Sequence, residues 1–232
     1  MPPRTAAIAL VCGALIPAHA ALAVAQSSRH DIDVRVYDVA NVDPHAKQLA
    51  LDVAAATLAS ASIRVLWRDC GSASCTSPVD DELVLRLVRS PAQPDGDRGR
   101  AALPLGDAYI DRVTGAGVLA TVYADRVGLL AASAGAGLAT LLGRTIAHEL
   151  GHLLLGSRAH GARGLMRPMW SARDLRHGTD ADWSFGAQEI ASLRARLSAR
   201  RAAAVPRPNL GGRATLLSPA PSNDAATDGR AR

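Results

Sequence analysis

Apolar and polar residues alternate in five short stretches of the chain, and this alternation predicts strands with one buried face. The first stretch, DIDVRVYDV, alternates isoleucine and valine with polar residues at Ile32, Val34 and Val36, and departs from the alternation at Val39. Turn-forming glycine, proline and serine separate several of the stretches. The predicted strands cover residues 31–39, 62–68, 81–90, 105–111 and 117–128.

Three other stretches carry apolar residues at the spacing of a helix with one buried side. The first covers 44–61 and follows Asp43, a residue suited to cap it. The second begins near Gly137 and ends at about Leu155, and the third closes the domain as FGAQEIASLRARL (185–197). The order strand, helix, strand, strand predicts an α/β (α+β) domain with a mixed sheet packed on helices.

The two ends of the chain differ in composition from its middle. Residues 1–25 carry a positive charge at Arg4, followed by mainly small and apolar residues. This pattern predicts a secretory signal peptide that is cleaved after Ala20 or Ala25. Residues 198–232 are rich in Ala, Arg, Pro and Gly without periodicity, which predicts a disordered tail. The predicted domain therefore covers 30–197, in a protein that is secreted or periplasmic.

Charge and cysteine content narrow the function classes. Arg4 and the residues after 197 account for the net charge of +5, so the domain is nearly neutral and nucleic acid is not an expected partner. The uncharged run 127–143 is rich in Gly and Ala, too weakly apolar for a membrane span. Without the signal peptide, Cys70 and Cys75 are the remaining cysteines, and an oxidising compartment predicts a disulfide between them.

The strongest chemical signal is TIAHELGHLLLG (145–156), a His-Glu-x-x-His sequence on the second predicted helix. His148 and His152 lie four residues apart, so both imidazoles project from one face and can bind one zinc ion. Glu149 is placed to act as a base for a water molecule at that ion. Gly156 can end the helix in a left-handed turn, which lets the chain return with His160 as a third nitrogen ligand.

This stretch resembles the metzincin clan of zinc peptidases, especially its matrixin-like branch, over roughly residues 145–170. His148, Glu149, His152, a glycine, a later histidine and a methionine turn at Met166 follow one another in the family's order. The resemblance implies a twisted mixed sheet packed on an N-terminal helix and a zinc-binding helix. It also implies that an edge strand binds the substrate backbone, either LGDAYID (105–111) or GVLATVYAD (117–125).

The spacing departs from the metzincin pattern, which leaves the third ligand open. Metzincins place the glycine three and the last histidine six residues after the second histidine. Here Gly156 and His160 come four and eight residues after His152. The alternative is Glu189 on the closing helix, as in gluzincins, with Asp182 as a more remote option; the glycine, histidine and methionine order favours His160.

The remaining candidate residues have ordinary interpretations. His30, His45 and His177 are expected on the surface rather than at a metal. Met169 and Trp170 are expected either to pack in the core or to form one wall of the substrate pocket.

The sequence therefore predicts a secreted zinc-dependent metalloendopeptidase that acts on a protein or peptide substrate, with Zn²⁺ as cofactor and Glu149 as general base. Two alternatives stay open. One is a secreted binding module in which zinc only stabilises the fold, and the other is a zinc hydrolase of a non-peptide amide. The preferred side chains of the substrate, its regulation and the oligomeric state are not specified by the sequence.

Overall fold

A computed structural model describes residues 30–71, 75, 81–91 and 103–204. The predicted signal peptide lies outside the described residues, as does the chain beyond Ala204. The elements in chain order are β1 (His30–Asp38), α1 (Pro44–Ala59), β2 (Ile63–Asp69), β3 (Leu83–Val88), β4 (Gly106–Ile110), β5 (Gly117–Tyr123), α2 (Ala124–Ala134), α3 (Leu138–Leu155), α4 (Ala172–His177), a 3₁₀ turn (Asp180–Trp183) and α5 (Ala187–Ala204).

The five strands form one mixed sheet in the order β2-β1-β3-β5-β4. β1, β2, β3 and β5 are parallel, and β4 runs antiparallel to β5. The predicted α/β architecture with a mixed sheet is confirmed. The order also decides which of the two candidate stretches lies at an edge: LGDAYID forms the edge strand β4, whereas β5 is paired on both sides.

Helix α1 begins where the sequence predicted it. The Asp43 carboxylate accepts a hydrogen bond from the Ala46 N–H at 2.9 Å, and Pro44 occupies the first turn, where its missing N–H costs nothing. The buried face of α1 carries Ala50, Leu51, Ala54 and Leu58.

Helix α3 is the central helix of the domain. It contacts α1, α2, α5, β4 and β5. Its apolar side chains are at most 1% exposed at Leu141, Leu142, Ile146, Leu150 and Leu153. Burial of such side chains is the main stabilising term of the fold, so the position of α3 is well determined by its neighbours.

Two glycines let neighbouring backbones approach α3 closely. A β-carbon on Gly143 would overlap the carbonyl oxygen of Ala50 in α1 and lie 2.6 Å from the Val53 β-carbon. A β-carbon on Gly117 in β5 would lie 2.5 Å from the α-carbon of Leu153. Both distances are shorter than the contacts that real β-carbons make. Helix α3 therefore packs against α1 and β5 at positions where only glycine fits.

The structure corrects two sequence-based boundaries. The strand expected over 117–128 ends at Tyr123, and α2 follows at once because Val127, Ala131 and Ala134 occupy the buried side of a helix. Helix α5 continues to Ala204, so residues 198–204 are helical rather than part of a tail. Arg200 in this last part donates to the Asp81 carbonyl oxygen at 3.0 Å.

The disulfide predicted between Cys70 and Cys75 is present, with their α-carbons 5.2 Å apart. A search of the described residues finds no helix with the length and apolar content needed to span a membrane.

Candidate metal centre

His148 and His152 lie on one face of α3, and both are buried, with 7% and 5% of their surface exposed. They are four residues apart, which brings their rings into an edge-to-face arrangement with centroids 4.7 Å apart. The remaining neighbours on the helix are mostly leucines that hold it against the sheet. The two imidazoles are therefore held in place before any ligand arrives.

Gly156 ends α3 and turns the chain back toward these rings. Its φ of 58° is left-handed, and its N–H donates to the Leu153 carbonyl at 3.2 Å while the N–H of Ser157 donates to the His152 carbonyl at 3.3 Å. The returning segment places His160 Nε2 3.3 Å from His152 Nε2. The turn predicted at Gly156 thus brings His160 close to His148 and His152.

Three ring nitrogens converge at this point, on His148, His152 and His160. The Nε2 atoms of His148 and His152 are 3.1 Å apart, and one nitrogen from each of the three rings lies within 4.8 Å of the others. Nitrogen ligands at ~2.05 Å from a tetrahedral zinc ion are ~3.3 Å apart. The donor set therefore fits zinc in number and chemistry, and the two separations of 3.1 and 3.3 Å from His152 Nε2 match the spacing at a tetrahedral ion.

The protonation of the two buried rings also fits a metal. His148 Nδ1 lies 2.8 Å from the Leu165 carbonyl oxygen and His152 Nδ1 lies 2.8 Å from the Ser157 carbonyl oxygen. A carbonyl only accepts, so each Nδ1 carries the proton and each Nε2 presents a lone pair. The close contact between the Nε2 atoms of His148 and His152 is thus a convergence of two lone pairs that a cation would relieve, not a hydrogen bond.

Burial keeps these rings neutral. It lowers the pKa of His148 to about 4, with the charges of His152 and His160 adding to the effect against the Leu165 hydrogen bond. Burial also lowers the pKa of His152. Metal ligation requires neutral imidazole, and both rings are in that form at neutral pH.

Glu149 is buried between α3 and the edge strand, with 6% of its surface exposed. A β-carbon on Gly106 of β4 would lie 2.6 Å from its Oε1 atom, so this glycine makes room for the carboxylate. Burial, with a smaller effect of the Asp107 charge, raises the pKa of Glu149 to about 8 against the opposing effect of Arg158. A dication held by the histidines would favour the carboxylate form.

Met166 lies beneath α3 and is fully buried. A β-carbon on Gly151 would lie 2.7 Å from the Met166 sulfur and 2.9 Å from the ring of Phe185, so the methionine fills the space that the glycine leaves. The Met166 carbonyl accepts the N–H of Gly161 at 2.8 Å, next to His160. Met166 is thereby tied to the segment that carries His160.

Trp170 forms one wall beside the histidines, whereas Met169 is 69% exposed. The Trp170 ring packs edge-to-face on His148 with centroids 5.6 Å apart and on Trp183 at 5.2 Å. The Arg144 guanidinium lies 3.8 Å from the centre of the Trp183 ring. Trp170 therefore packs against His148 and is itself packed against Trp183.

The two alternative ligands make other contacts, although Glu189 Oε1 lies close to Gly161, the residue after His160. Glu189 accepts the N–H of Gly186 at 2.7 Å and so caps the start of α5, and Asp182 caps the 3₁₀ turn through Thr179. In the part of the chain that the structure describes, the group of potential metal ligands consists of the three histidines alone. The geometry favours His160 over both carboxylates.

The expected surface position is wrong for one of the other described histidines, His30. His45 and His177 are exposed as expected, but His30 is 7% exposed. It begins β1 and lines a cavity with Leu197 and Arg200 of α5, a helix whose end the sequence placed too early.

Several supporting groups carried no recognisable sequence signal. Gly106 and Phe185 reach the site only through contacts across the fold, and the Ser157 and Leu165 carbonyls belong to the backbone. Among them only the position of Ser157, directly after the predicted helix end, offered a sequence clue.

Comparisons with known proteins add little to this geometry. No family model matches the sequence, and no curated protein matches it. Among solved structures the chain is similar to archaemetzincin from Methanopyrus kandleri, at 14% sequence identity and a TM-score of 0.46, with 75% of this chain and 99% of that chain covered. At this identity and score the likeness carries no conclusion about chemistry.

Proposed function

We propose that the chain is a secreted zinc metalloendopeptidase that hydrolyses peptide bonds with Glu149 as general base. The observation that carries the proposal is the convergence of the His148, His152 and His160 nitrogens beside a buried carboxylate. Three histidines are a known catalytic ligand set for zinc, because they leave a fourth position for water or substrate. A structural zinc site would use a fourth protein ligand.

When bound, zinc activates water and polarises the carbonyl of the scissile bond. Glu149 has the complementary role in our proposal. Its carboxylate takes a proton from the attacking water and then gives it to the amine that leaves. A buried carboxylate is suited to this exchange, because its protein surroundings can bring its pKa close to the pH at which the reaction takes place.

We further propose that β4 binds the substrate backbone. It is an edge strand, so one side of its backbone is not paired within the sheet. An extended peptide can add to that side by strand pairing. Because Gly106 in β4 touches Glu149, a peptide on this edge passes close to the proposed base.

Two further parts of the proposal have indirect support. Met166 serves as the methionine turn beneath the metal, supported by its burial against Gly151. Secretion is supported by the Cys70–Cys75 disulfide, since such bonds persist in oxidising compartments, and by the predicted signal peptide.

The test replaces Glu149 by Gln and compares zinc content, folding and cleavage of a randomised peptide library. The expected result is one zinc per chain, an unchanged circular dichroism spectrum and loss of cleavage. Glu189→Gln is the matched control, because it removes a carboxylate outside the histidine group and should keep activity. Cleavage by Glu149→Gln at the parent rate would contradict the proposed base.

The same measurements separate the other functions. A module in which zinc only stabilises the fold would unfold on chelation and would cleave no peptide before it. A hydrolase of a non-peptide amide would keep its zinc and its fold but leave the peptide library intact.

A further inference from the structure

An ion pair between Arg158 and Asp107 lies beside the histidine group, where Arg158 Nη2 donates to Asp107 Oδ1. Arg158 directly follows Ser157, whose carbonyl holds His152. Asp107 directly follows Gly106, the residue of β4 that touches Glu149. The pair therefore bridges the proposed substrate strand and the loop that leads from the second histidine to the third.

The Arg158–Asp107 pair is exposed to solvent, and little free energy is needed to separate it. The side chains of Arg158 and Asp107 are 62% and 54% exposed, and ion pairs at such exposure contribute little to stability. A guanidinium has five N–H donors in a planar fork that matches a carboxylate. Among the residues that the structure describes, Arg158 is engaged only through Nη2, so its other N–H groups can donate to a second carboxylate or the guanidinium can exchange its partner.

We propose that Arg158 recognises a carboxylate of the peptide substrate. The group recognised is an acidic side chain or the free C-terminal carboxylate, at a fixed distance from the bond that is cut. Asp107 occupies the guanidinium in the unliganded protein and competes with the substrate for it. This inference rests on the proposed peptidase function, since it names the substrate class of the same site.

The test profiles cleavage of a randomised synthetic peptide library by mass spectrometry, with free and amidated C-termini in separate arms. Wild-type protein is expected to enrich cleaved peptides about tenfold for a carboxylate at one position relative to the cut. Enrichment of Asp and Glu in both arms identifies a side chain, and loss of cleavage on amidation identifies the C-terminus. Arg158→Gln should abolish the preference, and Arg158→Glu should shift it toward Lys and Arg.

Two variants serve as comparisons. Arg163→Ala removes an exposed arginine from the loop after His160 and should keep the wild-type preference. Asp107→Asn removes the competing carboxylate and should lower the KM for acidic peptides severalfold relative to the KM for matched peptides without a carboxylate. A merely structural ion pair would instead make Asp107→Asn and Arg158→Gln alike in their effects.

A binding measurement provides a readout without catalysis. In the Glu149→Gln background, calorimetric titration with a peptide selected from the library should show binding that Arg158→Gln weakens about tenfold. Peptide cleavage by wild type without any carboxylate preference, or the same preference in Arg158→Gln, would overturn this inference alone. Absence of peptide cleavage by zinc-loaded, folded wild type would overturn both this inference and the proposed function.

Discussion

Replacement of Gly143 by Ala tests how α3, the helix that carries the metal site, is held in the domain. Two effects of opposite sign compete. Alanine in the middle of a helix is more favourable than glycine by about 1 kcal/mol, so helix propensity alone predicts a more stable protein. The added methyl group, however, would overlap the Ala50 carbonyl oxygen and lie 2.6 and 2.8 Å from two carbon atoms of Val53.

The steric effect should be the larger one. Overpacking of a core costs about 1–3 kcal/mol, and this contact lies at the upper end because a backbone oxygen cannot rotate away. A cost of about 3 kcal/mol against a gain of about 1 kcal/mol leaves a net loss of about 2 kcal/mol. For a domain of this size the loss corresponds to a fall in Tm of roughly 4–8 °C.

The assay is thermal unfolding followed by circular dichroism, with Gly128→Ala as the matched control. Gly128 lies in the middle of α2, and a β-carbon there meets only Leu138 Cδ1 at 4.0 Å, an ordinary contact. This variant should gain stability from helix propensity, about 1 kcal/mol or roughly 2–4 °C. If Gly143→Ala were stabilised as much as Gly128→Ala, α1 and α3 would not pack as closely as described.

Three more predictions follow from the site. Met166→Ala should cost about 2–5 kcal/mol of unfolding free energy, whereas Met166→Leu should cost less than about 1.5 kcal/mol, as measured by denaturant titration. Chelation should leave a folded, inactive protein by circular dichroism, and an unfolded product would favour a structural zinc. The folded-state pKa of His148 is depressed to about 4, so the metal-free protein should lose stability as the pH falls from about 6.5 toward 4; the unfolded chain then binds a proton that the folded chain does not. His148→Gln should reduce this pH dependence while His152, whose pKa is also lowered, keeps part of it, and an unchanged dependence would show that His148 does not contribute.

The features that depend on local sequence were predictable. Asp43 and Pro44 start α1 because capping and first-turn preferences act within a few residues. The spacing of His148 and His152 places both on one face of α3, and Gly156 predicted the turn that returns His160. These inferences need only helix geometry and the conformational freedom of glycine.

The features that depend on the whole fold were not predictable. The fit of Gly106 against Glu149 joins residues from a strand and a helix, and nothing in either stretch identifies the other. His30 is buried because α5 passes over the start of β1, a contact across most of the chain. Helix α2 was missed because it follows β5 directly at Ala124, without a turn residue between them, so the apolar residues of the strand and of the helix form one continuous stretch.

X-ray absorption at the zinc edge of the purified protein tests the central claim most directly. We predict one zinc per chain with three nitrogen neighbours at ~2.0 Å and one oxygen neighbour from water, and loss of one nitrogen neighbour in His160→Ala but not in Glu189→Ala. Sulfur ligands, four protein nitrogens, or a first shell that His160→Ala leaves unchanged would contradict the account.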